Sequence, residues 1–289
     1  MIEHRLRPGT ILILMPGTGG AEYVFKELLN DGCILIGMQR VPGVYRYNRK
    51  NNVATISGRR AEGLKVSSIP KMDRDELTDM IRDIFLMDVK IMPNYLNITL
   101  TPSNPILHTS RLYALFRGED HDTVFDRNPL FYGDWDDESS DILIRCDTEL
   151  FSILNDLKGL DTSGIRSLLD HYECDGIESM TKKISSIASL KHIPSPMIET
   201  NEGYVIDWSS RYFTSDFPDG LMIIKSIGLI TSTPTPQIDE IIMWYQSMIG
   251  KEYIKSGREL GKDSIECNIP QNNGIFTKED LIRFYEQRC

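Results

Sequence analysis

The chain lacks any hydrophobic run long enough to cross a bilayer. Its longest apolar stretches, TILILM (10–15) and LMIIKSIGLI (221–230), fall well short of the ~20 residues a span needs, and the second contains Lys225. The basic residues ahead of TILILM precede too short an apolar patch for a secretory signal, so a cytoplasmic protein with no membrane contact is expected. Cysteine is sparse. Cys33, Cys146, Cys174, Cys267 and Cys289 are scattered, odd in number and never spaced C-x-x-C, which argues against a disulfide framework or a zinc site and for reduced thiols. Positive charge is in deficit, with 32 Lys and Arg against 42 Asp and Glu and a formal net charge of -10. No basic cluster is available to displace counterions from a phosphate backbone, so nucleic acid is not an expected partner. Internal repeats and low-complexity tracts are also missing.

What is there suits a globular protein: 289 residues, 40% hydrophobic and 26% charged, enough for two domains of ordinary size. Up to about residue 100, short β-type runs alternate with helical patterns: TILILM, helix AEYVFKELL, CILIG, NVATIS, LKVSSI, helix RDELTDMIRDIFL, DVKIM and YLNITL. Alternating strands and helices predict an α/β layer. From Pro105 the period changes to 3.6, in PILHTSRLYALF, DTELFSILNDL, TSGIRSLLDHY, GIESMTKKISSIASL, GLMIIKSIGLI, PQIDEIIMWYQSMIG and TKEDLIRFYEQR. The expected architecture is an α/β domain over 1–103 followed by an all-α domain over 104–289. Ile238, Ile241, Ile242, Tyr245, Met248 and Ile249 read as a core stripe.

The segment TILILMPGTGGAEYVFKELLNDGCILIGMQR has the strand, glycine turn, helix and strand of a dinucleotide-binding unit. A G-x-G-x-x-G fingerprint would place its third glycine at Glu22, where a carboxylate opposes a diphosphate. Gly17, Gly19 and Gly20 are therefore read first as a structural turn, with the edge of a cofactor as the second reading. The acidic stretch GDWDDESSD, with Asp134, Asp136, Asp137 and Glu138, lacks the loop glycine and terminal glutamate of a calcium loop and reads as a solvated loop. His121, His171 and His192 have no mutual ligand spacing.

Asn104 followed by Pro105 predicts a helix start, Asn as N-cap and Pro in the first position. His108 then falls in the first turn, where the helix dipole disfavours an imidazolium unless a carboxylate restores its basicity and fixes its tautomer. Arg211 and Asp216 in SSRYFTSDFPDGL are far along the chain, and spacing alone leaves open whether they are partners of His108 or an ordinary ion pair and helix cap.

The blocks NITLTPSNPILHTSRLY, IDWSSRYFTSDFPDGLMIIKSIG and TPTPQIDEIIMWYQSMIGKEYI, joined through FYGDWDDESSDILIRCDTEL, resemble the octopine/nopaline (opine) dehydrogenases over nearly the whole chain. The resemblance implies a Rossmann-like NAD(P) domain joined to an all-helical substrate domain. It also implies NAD(P)H-dependent reductive condensation of a 2-keto acid with the amine of an amino acid. Carried over, the family's catalytic histidine falls on His108 in N-P-x-x-H, its aspartate partner on Asp216, and its substrate-site arginine on Arg211 in R-Y-F-T-S-D. Asn104 is a further candidate for the substrate side.

The family opens with a βαβ unit bearing G-x-G-x-x-G, whereas HRLRPGTILILM aligns with a later Rossmann strand. An incomplete Rossmann-like domain is therefore expected, with roughly a hundred residues absent and the main NAD or NADP motif among them. Such a domain leaves an exposed apolar sheet edge, whose two expected fates are pairing with a second copy, a homodimer, and poor solubility. Gln39 and Arg40 depart from a region that is more acidic and hydroxyl-bearing in some relatives, which leaves the amino acid and the keto acid open, and the choice of NAD or NADP stays open because the ribose-reading residues are not in this sequence. Two other readings remain: a non-catalytic family remnant that binds a ligand or mediates association, and a related 2-hydroxy-acid or polyol dehydrogenase.

Overall fold

A computed structural model describes residues 6–59, 61–256 and 259–286. The chain divides into two compact units. The first takes the chain up to Thr101 together with Gly159–Ile165 and the stretch from Lys278; the second takes Pro102–Lys158 and Arg166–Thr277.

The first unit is built on a four-stranded sheet in the order β1 (Ile11–Leu14), β2 (Ile34–Met38), β5 (Leu64–Ile69), β6 (Val89–Ile91). Strands β1 and β2 run parallel, β5 returns antiparallel to β2, and β6 runs parallel to β5. The crossover between β1 and β2 carries two short helices, α1 (Ala21–Val24) and α2 (Lys26–Asn30), where the sequence pattern predicts one. Phe25 breaks the pattern between them. Helix α3 (Arg74–Phe85) starts where the Asp73 carboxylate accepts from the amides of Asp75 and Glu76. Its Leu77 and Ile81 close a core with Ile36, Met38, Leu64 and Val66. A separate hairpin, β3 (Gly43–Asn48) with β4 (Val53–Arg59), contains the expected NVATIS strand and a partner strand that the sequence pattern does not predict.

The run YLNITL is not a strand. It forms the short helix α4 (Leu96–Thr99), because Asn94 and Asn97, three apart and fully buried, both donate to the Asp161 carbonyl, at 3.0 and 2.9 Å. A strand would send residues 94 and 97 to opposite faces. The last helix, α12 (Lys278–Tyr285), packs with this unit: the Tyr285 hydroxyl meets Glu22 and the Tyr23 hydroxyl, each at 2.6 Å. The end of the expected helix TKEDLIRFYEQR, like Cys289, lies outside the described residues.

The second unit is mainly helical: α5 (Asn104–Phe116), α6 (Asp137–Asp156), α7 (Leu168–Tyr172), α8 (Ile177–Ser185), α9 (Arg211–Thr214), a π-helical turn (Phe217–Leu221), α10 (Met222–Thr231) and α11 (Pro236–Ile249). Two small antiparallel ribbons interrupt the helices, β7 (Met197–Glu199) with β8 (Tyr204–Ile206) and β9 (Ile254–Lys255) with β10 (Glu259–Leu260). They bring strand structure into a region expected to be purely α. Helix α6 begins ten residues earlier than its apolar pattern suggests, because Asp136 caps it by accepting from the Ser139 amide at 2.8 Å. The acidic stretch is therefore a helix start and not only a solvated loop. On α11, Ile238, Ile241, Ile242 and Tyr245 are buried as the stripe requires, while Met248 and Ile249 are half-buried. Lys225 on α10 is buried against Asp239 at 2.5 Å and Thr235 at 2.9 Å, which fixes α10 on α11. Cys33, Cys146, Cys174 and Cys267 are free thiols. No helix among the described residues is long and apolar enough to cross a membrane.

Candidate active site

Helix α5 starts one residue earlier than its sequence suggests. Ser103 holds the cap position without a side-chain bond, Asn104 is the first helical residue and Pro105 the second. His108 thus lies in the second turn, one turn on from the exposed Asn104 and on the same face, with Arg111 three residues further. Burial of the imidazole, 7% exposed, follows from its neighbours: Tyr212 lies across it with ring centroids 4.5 Å apart, and Phe131 meets it edge-on at 5.5 Å.

Asp216 arrives from the C-terminal end of α9, just before the π-helical turn. That turn packs closely on the start of α5: a Cβ at Gly220 would sit 2.7 Å from the Cβ and Cγ of Pro105. The absence of a side chain at Gly220 lets the turn approach, and the approach carries Asp216 to His108. His108 Nδ1 and Asp216 Oδ2 are 2.7 Å apart. Residues 108 positions apart in the chain therefore form the expected pair. An ionised carboxylate only accepts, so Nδ1 carries the hydrogen and Nε2 keeps its lone pair in the neutral ring.

The other nitrogen has a partner that sequence reasoning missed. The Tyr132 hydroxyl lies 2.8 Å from His108 Nε2. Burial pushes this phenol well above its ordinary range, and Tyr212, Tyr172 and Asp216 add to the effect, so Tyr132 stays protonated. Tyr212 is raised by burial and then by Asp216. The segment carrying Tyr132 is held by Arg111, 1% exposed, whose guanidinium lies over the Trp135 ring. Arg111 donates to the Phe131 carbonyl at 3.0 Å, the Asp134 carbonyl at 2.5 Å, the Asp136 carboxylate at 3.1 Å and Ser139 Oγ at 2.9 Å. Burial lowers the Arg111 pKa while Asp136 and Asp134 oppose the shift. The one available clue was position: His108 and Arg111 share a face of α5, and FYGDWDD is rich in groups that can meet them.

Arg211 opens α9 beside Tyr212. Its side chain is exposed and forms no ion pair with any described residue. Asn104 is likewise exposed.

The glycine turn is occupied by protein. Gly19 and Gly20 take left-handed conformations, φ 82° and 69°, and a Cβ on Gly17 would fall 2.5 Å from Gly37 Cα and 2.8 Å from the Tyr95 hydroxyl. That hydroxyl donates to the Gly17 carbonyl at 3.0 Å. Glu22 is fully buried, its Oε1 accepting from Thr99 and from Tyr285, and burial raises its carboxyl to about 7. Turn conformation and close packing account for these glycines, and the turn does not fit a dinucleotide diphosphate. His121 hydrogen-bonds the Met248 carbonyl at 2.6 Å and lies against Trp208.

Residues 91–249 match the family described as NAD/NADP octopine/nopaline dehydrogenase, alpha-helical domain. The chain is 26% identical over 301 residues to tauropine dehydrogenase of Arabella iricolor, covering 97% of this chain and 75% of that protein. It is 26% identical over 297 residues to opine dehydrogenase of Haliotis discus hannai, covering 97% and 73%. Among solved structures, octopine dehydrogenase with NADH and L-arginine superposes with a TM-score of 0.82 at 22% identity, over 97% of this chain and 73% of that one. Its fold is accordingly that of a mixed α/β unit joined to a helical one. The family match spans more than half of the chain and contains both members of the histidine–aspartate pair: this protein belongs to the octopine/nopaline dehydrogenase family of oxidoreductases.

Proposed function

We propose that the protein catalyses the NAD(P)H-dependent reductive condensation of a 2-keto acid with the amino group of an amino acid, with His108 as its acid/base group. The observation that carries the reading is the 2.7 Å contact between His108 Nδ1 and Asp216 Oδ2 in a pocket of aromatic rings. A general acid/base must be held in one tautomer and within reach of the reacting heteroatom. Asp216 supplies the first condition by fixing the hydrogen on Nδ1, and its charge stabilises the imidazolium that forms. Arg211, exposed and unpaired among the described residues, is suited to hold a substrate carboxylate with two charge-assisted bonds. Asn104, one turn before His108 on the same face, offers a polar group to the same substrate.

The solved octopine dehydrogenase holds NADH. The Gly17–Glu22 turn of this chain does not fit a diphosphate. What is assigned to this chain is proton transfer and substrate orientation.

The test is oxidation of NADH and NADPH by the purified protein given pyruvate or a related keto acid with each of a panel of amino acids. Turnover that requires both the keto acid and the amine is expected. Turnover undiminished without the amine would make it a hydroxy-acid dehydrogenase instead. Absence of both turnover and saturable NADH binding would leave a non-catalytic family member.

A further inference from the structure

We propose that Tyr132 is the relay through which His108 exchanges its proton with the reacting group. The inference rests on the reading of His108 as an acid/base group and goes beyond it. With Nδ1 committed to Asp216, only Nε2 can pass a proton, and Nε2 is not open: the Tyr132 hydroxyl occupies it at 2.8 Å, Tyr212 covers the ring and Phe131 closes its edge. A proton leaving Nε2 in this geometry must go through Tyr132. The phenol, 5% exposed and held in its protonated form, is a donor and not itself a base. Tyr212, whose ring lies over His108 and against Phe131, is only half-buried, so the way out runs past it.

The placement of Tyr132 is built and not incidental. Arg111 binds the carbonyls of Phe131 and Asp134, on either side of Tyr132, and the Asp136 carboxylate, using a fully buried guanidinium to do so. A phenylalanine at 132 would fill the same space against Phe131 and Trp135, so only the hydroxyl needs that precision.

The step balances without any change in electron count. The imidazolium Nε2–H proton passes to the Tyr132 oxygen as the Tyr132 O–H proton leaves for the acceptor, the substrate heteroatom or a water. One N–H and one O–H bond break, one O–H and one new heteroatom–H bond form, and both side chains end neutral.

The experiment is Tyr132→Phe, assayed for kcat, for KM and for the dependence of kcat on deuterium fraction in mixed water. Wild type is expected to show a curved dependence, with two protons in flight. In the variant kcat falls about a hundredfold, the usual scale for acid/base catalysis, with KM little changed and the dependence straightened. Wild-type kcat with wild-type curvature in Tyr132→Phe overturns the relay. If that variant does not fold, the wild type decides: a curved dependence supports the relay and a straight one, with a single proton in flight, overturns it. If the wild-type protein shows no turnover, the functional reading fails, and the relay is tested separately by nitrogen-15 NMR of the His108 ring, assigned with His108→Gln. A Nε2 resonance that moves in Tyr132→Phe supports the hydrogen bond between His108 and Tyr132, and one that stays fixed overturns it.

Discussion

Glu22→Gln tests the reading of the glycine turn, since that reading places a carboxyl group in the interior of the first unit. The fully buried Glu22 carboxyl titrates at about 7 in place of 4.5, because burial outweighs its hydrogen bonds from Thr99 and Tyr285. Its second oxygen has no partner. Below pH 4.5 the group is protonated folded and unfolded alike, and nothing is lost. Between 4.5 and 7 the unfolded chain gives up its proton first, so stability falls as pH rises, by about 1.4 kcal/mol per unit. Above 7 the full cost is present, roughly 3 kcal/mol for a displacement of this size. Glutamine keeps an acceptor for Thr99 and Tyr285 and removes the titration. Asp147 in the second unit, raised by burial to about 7, produces a slope of the same sign, but it is present in parent and variant and cancels in their difference. All three tryptophans, Trp135, Trp208 and Trp244, are in the second unit, so hydrogen exchange in β2 and β5 is the suitable probe of the first. Parent and variant are expected to match near pH 4.5 and to diverge by about 3 kcal/mol at pH 8, the variant being the more protected. A difference that does not change with pH would place Glu22 in solvent and refute the argument.

Gly220→Ala puts a methyl group 2.7 Å from Pro105 and pushes the π-helical turn off α5. A loss of about 1–3 kcal/mol in urea unfolding and a lower kcat are expected, and wild-type values in both would contradict the packing argument. Arg211→Ala removes the proposed carboxylate fork, so KM for the keto acid should rise about tenfold or more with the melting temperature unchanged, and an unaltered KM would remove Arg211 from the site. Arg111→Met leaves Asp136 and two carbonyls without their partner; about 3 kcal/mol of destabilisation by urea unfolding is expected, and none would mean that the clamp is not structural.

The alternation of strands and helices before residue 100 and the 3.6 period after it were legible in the sequence because burial imposes those periods directly. So was the pairing of His108 with Asp216, through motif resemblance, although nothing in their spacing shows that residues 108 apart touch. What brings them together is a close approach of Gly220 to Pro105, and a glycine in a sequence does not declare what packs against it. YLNITL is too short for its period to separate strand from helix, and its outcome was decided by the carbonyl of Asp161, more than sixty residues on. Tyr132 and Arg111 were invisible for a related reason. The acidic run around them suggests solvent until a buried guanidinium three residues beyond His108 is seen to gather it. Glu22, by contrast, was legible as a misfit in the glycine fingerprint, and its burial supplies the reason.

The most direct test of the account is Asp216→Asn, which keeps the shape of the side chain and removes the charge that holds His108 in its Nδ1–H form. With Arg211 and Tyr132 intact, KM for the keto acid should change little while kcat for amine-dependent NAD(P)H oxidation falls by about 10² to 10⁴. A kcat equal to that of the wild type would contradict the claim that the His108–Asp216 pair is the working centre of this protein.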